Sequence, residues 1–268
     1  MQTDTGAEER MQKDRTHMKK IALVTGASSG IGMEAVRQIA EVFPSLTEIW
    51  VNARREDILK GLETELPGRI RSFPGDLTVP ETRKSIVDAL KAENAHIMIL
   101  FNAAGFGKLG REGTLTEAES AGMVRLNCEA LTVMTELCLP YLTVKSRVIQ
   151  MASAAGFMPQ PGFAVYAATK AYVLSYSRAL GKELAGRGIT VTAVCPGPVD
   201  TNFFNIAEEH ASAPKYKKLL MVKTEDVVAQ ALADARAGKS VSVCGGPMKV
   251  FRLAAKLLPA DLLLKFCG

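Results

Sequence analysis

The sequence predicts an α/β fold: a doubly wound parallel sheet of about seven strands, flanked by helices. Three observations predict it. Short apolar runs alternate with helical patterns from residue 19 to residue 243. Several runs, such as His96 to Asn102 (H-I-M-I-L-F-N), are too apolar to have one wet face, which suits strands covered on both sides. No linker of the Pro/Gly/Ser type and no repeat of solenoid period interrupts the alternation, so one domain accommodates it.

Residues 1–18 are polar and mixed in charge, and read as a flexible leader without the apolar core of a signal peptide. Residues 19–25 contain Ile21-Ala22-Leu23-Val24, a short buried strand. A glycine-rich turn follows, and residues 31–43 have helical periodicity. Residues 49–53 and 69–73 are the second and third strands, with a polar-faced helix over 55–66 between them. A helix over 79–94 leads to the fourth strand, 96–102. Residues 116–139 form one long helix, 147–151 the fifth strand, and 165–185 a helix closed by Gly186 and Gly188. The sixth strand, 189–195, stops at Pro196-Gly197-Pro198. Residues 202–221 are irregular or weakly helical. A helix over 224–237 takes Thr224 as its N-cap, with Glu225 and Asp226 favourable in the first turn. A last short strand spans 240–243. The domain therefore covers 19–247, and 248–268 form an amphipathic helical tail packed on it.

Composition narrows the function classes. Apolar residues make up 47% and charged residues 23%, which excludes disordered and low-complexity chains. The net charge of +5 comes without a long cationic run, and no nucleic-acid partner is expected. Residues 203–268 hold 10 Lys and Arg against 6 Asp and Glu. That excess reads as solvated surface, with an anionic substrate or a membrane surface as the alternative. The five cysteines are odd in number and make no C-x-x-C pair, so no disulfide framework or zinc site is expected and a cytoplasmic location fits. His17, His96 and His210 are scattered, and no metal is expected. No uninterrupted apolar stretch reaches the ~18 residues of a spanning helix.

The strongest N-terminal signal is Thr25-Gly26-Ala27-Ser28-Ser29-Gly30-Ile31-Gly32, between a predicted strand and a predicted helix. Glycine permits the tight turn and lets backbone N–H groups approach a pyrophosphate, which the helix N-terminus also favours. The spacing G-x-x-x-G-x-G, preceded by Thr25, resembles the classical short-chain dehydrogenase/reductase family, whose fold is a Rossmann-type sheet. In that family the end of the second strand reads the cofactor ribose. Here it is Ala53-Arg54-Arg55, with no carboxylate for a ribose hydroxyl and two guanidinium groups for a 2′-phosphate. NADP(H) is therefore expected in preference to NAD(H), with Arg54 as main contact and Arg55 as a further candidate.

The second signal is Tyr166-Ala167-Ala168-Thr169-Lys170. Residues i and i+4 share a helix face, so Tyr166 and Lys170 can act together. A free phenol titrates near ~10, and a nearby ammonium lowers that value toward useful acid–base chemistry. Ser153 follows the fifth strand, thirteen positions before Tyr166, where strand C-termini form the ligand crevice and a hydroxyl can stabilise an oxyanion. Asn127 lies within the long helix, where asparagine is a mediocre helix former and a polar role is plausible beside an exposed one.

Asn127, Ser153, Tyr166 and Lys170, with Asn102-Ala103-Ala104-Gly105 after the fourth strand, resemble the signature of the same family over roughly residues 19–201. The resemblance implies the roles. Tyr166 donates or accepts the proton, and Ser153 orients the reacting carbonyl. Lys170 lowers the tyrosine pKa and holds the nicotinamide ribose, and Asn127 anchors a water in the proton relay. Gly26, Ser28, Ser29, Gly30, Ile31 and Gly32 hold the phosphates. Asp76 and Leu77 contact adenine, Asn102, Ala103 and Ala104 bind the cofactor, and Pro196, Gly197, Val199 and Thr201 flank the nicotinamide. Two local departures, N-A-A-G after the fourth strand and Ala152 before Ser153, remove no functional group.

The resulting expectation is an NADP(H)-dependent oxidoreductase interconverting a small-molecule ketone or aldehyde and an alcohol. The alternatives are a non-catalytic NADP(H)-binding scaffold or redox sensor of the same fold, and, among enzymes, an isomerising or dehydrating relative. Substrate contacts are expected from residues 105–115, 156–164 and 202–221. Phe106, Phe157, Met158, Phe163, Phe203 and Phe204 there favour an apolar substrate. The resemblance suggests a homodimer or homotetramer built on the helices 116–139 and 165–185. In the tail, Val250, Leu253, Ala254, Leu257 and Leu258 make an apolar stripe among Lys249, Arg252 and Lys256. Packing over the pocket, a subunit contact and weak membrane-surface contact are its three readings.

Overall fold

The computed structural model describes residues 19–111, 113–201, 203, 207–208 and 221–265. The expected leader, most of 202–221 including Phe204, and the last three residues lie outside the described residues.

Among the described residues, seven strands follow the sequence order β1 Lys19–Thr25, β2 Glu48–Ala53, β3 Ile70–Pro74, β4 Ala95–Asn102, β5 Leu142–Met151, β6 Thr190–Val194 and β7 Val241–Ser242. They form one sheet in the order β3-β2-β1-β4-β5-β6-β7, and every neighbouring pair is parallel. The helices are α1 Gly30–Val42, α2 Glu56–Glu65, α3 Pro80–Ala92, α4 Glu117–Val124, α5 Leu131–Cys138, α6 Ala164–Glu183, α7 Thr224–Arg236, α8 Gly246–Leu257 and α9 Ala260–Leu264.

Side chains alternate across each strand, so β1 sends Ala22 and Val24 to one face and Ile21 and Leu23 to the other. On the first face these meet α1 through Ala35, Val36 and Ile39, α2 through Leu59 and Leu62, and α7 through Val228 and Leu232. On the second face they meet α3 through Ile86 and Leu90, α5 through Met134 and Cys138, and α6 through Leu180. Burying a side chain such as Ile39 or Leu90 contributes roughly 2 kcal/mol. Both faces are dry, which is why the strands read as continuous apolar runs. The chain leaves β1 toward one face and β4 toward the other, and this switch point opens a crevice at the carboxyl edge of the sheet.

Three elements differ from expectation. β5 starts at Leu142 rather than at 147. Lys145 takes φ +71°, and the Ser146 hydroxyl donates to Ile97 O at 2.6 Å while accepting from Thr143 N at 2.9 Å. That irregularity lets Leu142 pair with Ile97 before regular pairing resumes at Ile99 and Arg147. The single helix expected over 116–139 is α4 and α5 joined by a π-helical stretch, Arg125–Ala130. Thr116 caps it with a full capping box to Glu119. Thr224 is not an N-cap: Lys223 holds that position, and the Thr224 hydroxyl donates to Asp200 O at 3.1 Å. Among the described residues, no helix is long and apolar enough to cross a membrane.

Candidate active site

The turn after β1 is built by steric necessity. Gly26 adopts φ +71°, and a Cβ there would lie 2.6 Å from Ala104 N. A side chain at Gly32 would collide with the carbonyl of Gly26. Ser29 is the N-cap of α1 but makes no side-chain cap bond, so the first-turn N–H groups and the positive end of the helix dipole are left for another acceptor. A Cβ-free cradle at an uncapped helix N-terminus fits a pyrophosphate.

The two arginines after β2 do different work. Arg55 Nη2 donates to Ser28 O at 2.5 Å, and its Nε reaches Ser28 Oγ at 3.4 Å, so it ties β2 to the glycine-rich turn. Arg54 lies beside Asp76. Burial alone would raise the Asp76 carboxyl, but the hydroxyl and N–H of Thr78, at 2.7 and 2.8 Å, together with Arg54, hold it below its usual range. Arg54, Arg55, Asp76 and Leu77 all line one cavity of about 1300 Å³. The donor set, two guanidinium groups at the end of β2, fits a phosphorylated ribose.

Ser153, Tyr166 and Lys170 line the same cavity. Ser153 follows β5, and Tyr166 and Lys170 lie one turn apart on α6, as the i, i+4 spacing requires. The side chain of Ser153 accepts from Ala155 N at 3.1 Å and stands near enough to the Tyr166 phenol to pull its pKa down. Lys170 Nζ donates to Met151 O at 2.7 Å, which aims it at the end of β5. Its ammonium stands 5.6 Å from the centre of the Tyr166 ring. One expectation is corrected here. Tyr166 is not lowered by Lys170: burial pushes its phenol up to about 12, against the downward pull of Ser153. Burial likewise pushes the Lys170 ammonium down to about 8. Both groups are nearly enclosed, and desolvation of the charged form outweighs the opposing pull of Ser153 on Tyr166 and of Cys128 and Cys195 on Lys170.

Asn127 is fully buried and sits in the π-helical stretch, a distortion that often marks functional sites. Its Oδ1 accepts from Phe106 N at 3.0 Å, and its Nδ2 donates to Phe106 O at 2.8 Å and to Thr169 Oγ1 at 3.1 Å. Thr169 Oγ1 in turn donates to Tyr166 O at 2.7 Å. Asn127 thus locks the loop after β4 to the helix that carries Tyr166, and its side chain does not line the cavity. Gly105 stands between it and Lys170: a Cβ there would lie 2.8 Å from Asn127 Oδ1 and 3.5 Å from Lys170 Nζ.

Asn102 is another predicted residue that stays outside the cavity, while its neighbours Ala103 and Ala104 line it. Its Nδ2 donates to Thr135 Oγ1 and to Gln150 Oε1, both at 3.0 Å, and Gln150 Nε2 donates to Thr135 Oγ1 at 2.9 Å. The Thr25 hydroxyl joins from β1, accepting from Ala104 N at 3.3 Å. This buried, satisfied network pins β1, β4, β5 and α5 directly beneath the crevice. Thr135 and Gln150 were not singled out in the sequence; a glutamine inside the apolar run of β5 was the available signal.

Pro196, Gly197, Val199 and Thr201 complete the lining beside the glycine-rich turn, where a Cβ on Gly30 would lie 3.1 Å from Thr201 Cγ2. The rest of the cavity is mostly apolar, with Arg111 and Gln160 as polar members of its wall. Phe106, Met158, Phe163 and Phe203 line it, whereas Phe157 turns away to pack at 6.2 Å on Phe251 of α8. The Tyr166 ring lies between Phe163, stacked at 4.3 Å, and Phe203 at 5.3 Å. Met248, Val250 and Phe251 from α8 also reach the cavity, so the tail contributes to its wall.

A family model described as short chain dehydrogenase matches residues 20–211. The chain is 32% identical over 219 residues to sulfoacetaldehyde reductase 2 of Chromohalobacter salexigens, an alignment covering 78% of this chain and 86% of that protein. It is 29% identical over 185 residues to the 3-oxoacyl-[acyl-carrier-protein] reductase of Thermotoga maritima, covering 68% of this chain and 75% of that one. Among solved structures, a short-chain dehydrogenase from Sphingobium yanoikuyae in complex with NADPH superposes with a TM-score of 0.73 at 25% identity, covering 92% of this chain and 96% of that one.

Proposed function

The chain belongs to the short-chain dehydrogenase family, and from that footing we propose that it is an NADP(H)-dependent oxidoreductase interconverting an apolar ketone or aldehyde and its alcohol. The observation that carries the reading is the buried Tyr166 phenol. It lines the same cavity as Ser153, shares a helix face with Lys170, and opens on the space that also holds the glycine-rich turn, Arg54 and Arg55. The NADPH bound by the Sphingobium relative supports the choice of nicotinamide cofactor. The two arginines, with no carboxylate at the end of β2, support the phosphorylated form.

In this reading the N–H groups of the turn and the start of α1 bind the phosphates, and Arg54 pairs with the 2′-phosphate. When bound, NADPH supplies the hydride. The remaining work belongs to the chain. The Ser153 hydroxyl, which lines the same cavity as the phenol, holds the substrate oxygen beside it. Tyr166, kept neutral by burial, gives its proton to that oxygen as the carbonyl carbon is reduced. Lys170, positioned by Met151 O, offsets the negative charge left on the phenolate. Phe106, Phe163 and Phe203 exclude water around the reacting carbon and favour an apolar substituent there.

The assembly follows the same family logic. Val124, Leu137 and Tyr172 are exposed apolar side chains on α4, α5 and α6, and we place the contact of a homodimer or homotetramer on these helices. Cysteines without C-x-x-C spacing support a cytoplasmic compartment. The test of the activity is NADPH consumption over a panel of ketones and aldehydes of rising apolar bulk. Turnover that improves with apolar bulk is expected; NADPH binding without turnover across the panel would refute the reading.

A further inference from the structure

Among the described residues, five of the eleven exposed large hydrophobic side chains fall in the last two helices and the turn between them: Val250, Leu253, Leu257, Leu258 and Leu262. α8 is two-sided. Its inner side is anchored, with Phe251 against Phe157 and Met248 packed where a Cβ on Gly197 would touch its sulfur at 2.7 Å. Its outer side carries Val250, Leu253 and Leu257 in one row, at i, i+3 and i+7, exposed to 68%, 57% and 69%. Beside that row runs a second, Lys249, Arg252 and Lys256, also exposed. Lys265 extends the positive edge beyond α9, and Asp261 is the one acid in residues 246–265.

We propose that α8 and α9 form an interfacial docking element that lays this apolar row into the headgroup region of an anionic lipid bilayer. A row of Val and Leu bordered by a row of Lys and Arg, on a helix too short to span, matches the chemistry of such a surface. The charge argues against a second copy of the chain as the occupant. A two-fold contact centred on the apolar row would bring two rows of three cations together. Docked in this way, Val250 and Phe251, which line the cavity, bring its wall to the lipid, so an apolar carbonyl compound can enter from the bilayer. That consequence rests on the function proposed above, whereas lipid binding is measured without turnover and stands or falls separately.

The experiment is co-sedimentation of the full chain with vesicles of phosphatidylcholine alone and of equimolar phosphatidylcholine and phosphatidylglycerol. The chain is expected to pellet with the anionic vesicles at low salt and to be released as salt screens the contact. The double variant Leu253→Gln, Leu257→Gln should bind at least about tenfold more weakly, and Lys249→Gln, Lys256→Gln should lose the preference for anionic lipid. None of these four residues lines the cavity, so NADPH binding by each variant should match the parent and reports that it is folded. The proposal is overturned if the parent does not pellet with anionic vesicles. It is equally overturned if the leucine variant pellets as well as the parent, or if that variant instead splits an oligomer seen by sedimentation velocity.

Discussion

The carboxamide of Asn127 closes on the backbone of Phe106 from both sides, accepting its N–H at 3.0 Å and donating to its carbonyl at 2.8 Å. The same Nδ2 reaches Thr169, so one side chain sets the distance between the loop after β4 and the helix bearing Tyr166. Asn127→Ala should destabilise the fold by roughly 2–3 kcal/mol, because partly buried backbone groups lose their partners. Urea denaturation checks this, and a change under about 0.5 kcal/mol would sink it. Asn127→Asp keeps the acceptor for Phe106 N but sets a buried carboxylate oxygen against the Phe106 carbonyl, and should cost at least as much as Asn127→Ala.

Tyr166→Phe removes the proton donor and leaves the ring between Phe163 and Phe203 in place. Turnover should drop by about 10²–10⁴-fold with little change in NADPH affinity. Steady-state rates together with a fluorescence titration of NADPH separate the two quantities. Turnover near that of the parent would remove Tyr166 from the chemistry.

How much of this could be read beforehand depended on whether the cause was local. The strands were legible because both sheet faces are dry, so Ile97 to Phe101 could not be mistaken for a half-exposed segment. The glycine-rich turn was legible because Gly26 and Gly32 answer to steric limits that any side chain would violate. The first half of β5 was hidden, since it depends on one positive φ at Lys145 and one serine bond to β4. The π-helical stretch was hidden too, because its apolar spacing also satisfies an α-helix. Asn102 looked like a crevice residue by its place after a strand. Its actual partners, Gln150 and Thr135, come from 48 and 33 positions away. The proton affinity of Tyr166 was misjudged from its neighbour on the helix. Burial among side chains from other elements, Leu109, Met123 and Phe203 with Phe163, decides it instead.

Arg54 and Arg55 should separate by experiment. Arg54 faces the cavity beside Asp76, so Arg54→Ala should weaken NADPH by about tenfold or more and leave NADH nearly unchanged. Arg55 holds Ser28, so Arg55→Ala loosens the turn that both cofactors need and should weaken both. Titration of the parent should show NADPH at least about tenfold tighter than NADH. Tighter NADH binding by the parent would reverse the assignment of Arg54.

The pH dependence of carbonyl reduction should be set by Lys170 rather than by Tyr166. Burial raises the phenol to about 12, so the proton that Tyr166 must give remains in place throughout the neutral and mildly alkaline range. Burial lowers the ammonium to about 8, so the positive charge that offsets the phenolate is complete below that value and is lost as pH rises through it. The rate of reduction should therefore be level below about 8 and fall above it. Lys170→Met should be slow at every pH and lack the falling limb, because the group that titrates is gone. Lys170→Arg keeps its charge throughout this range and should also remove the limb. A parent profile that stays level to 10.5, the ordinary lysine value, would show that Lys170 is not the group whose proton matters.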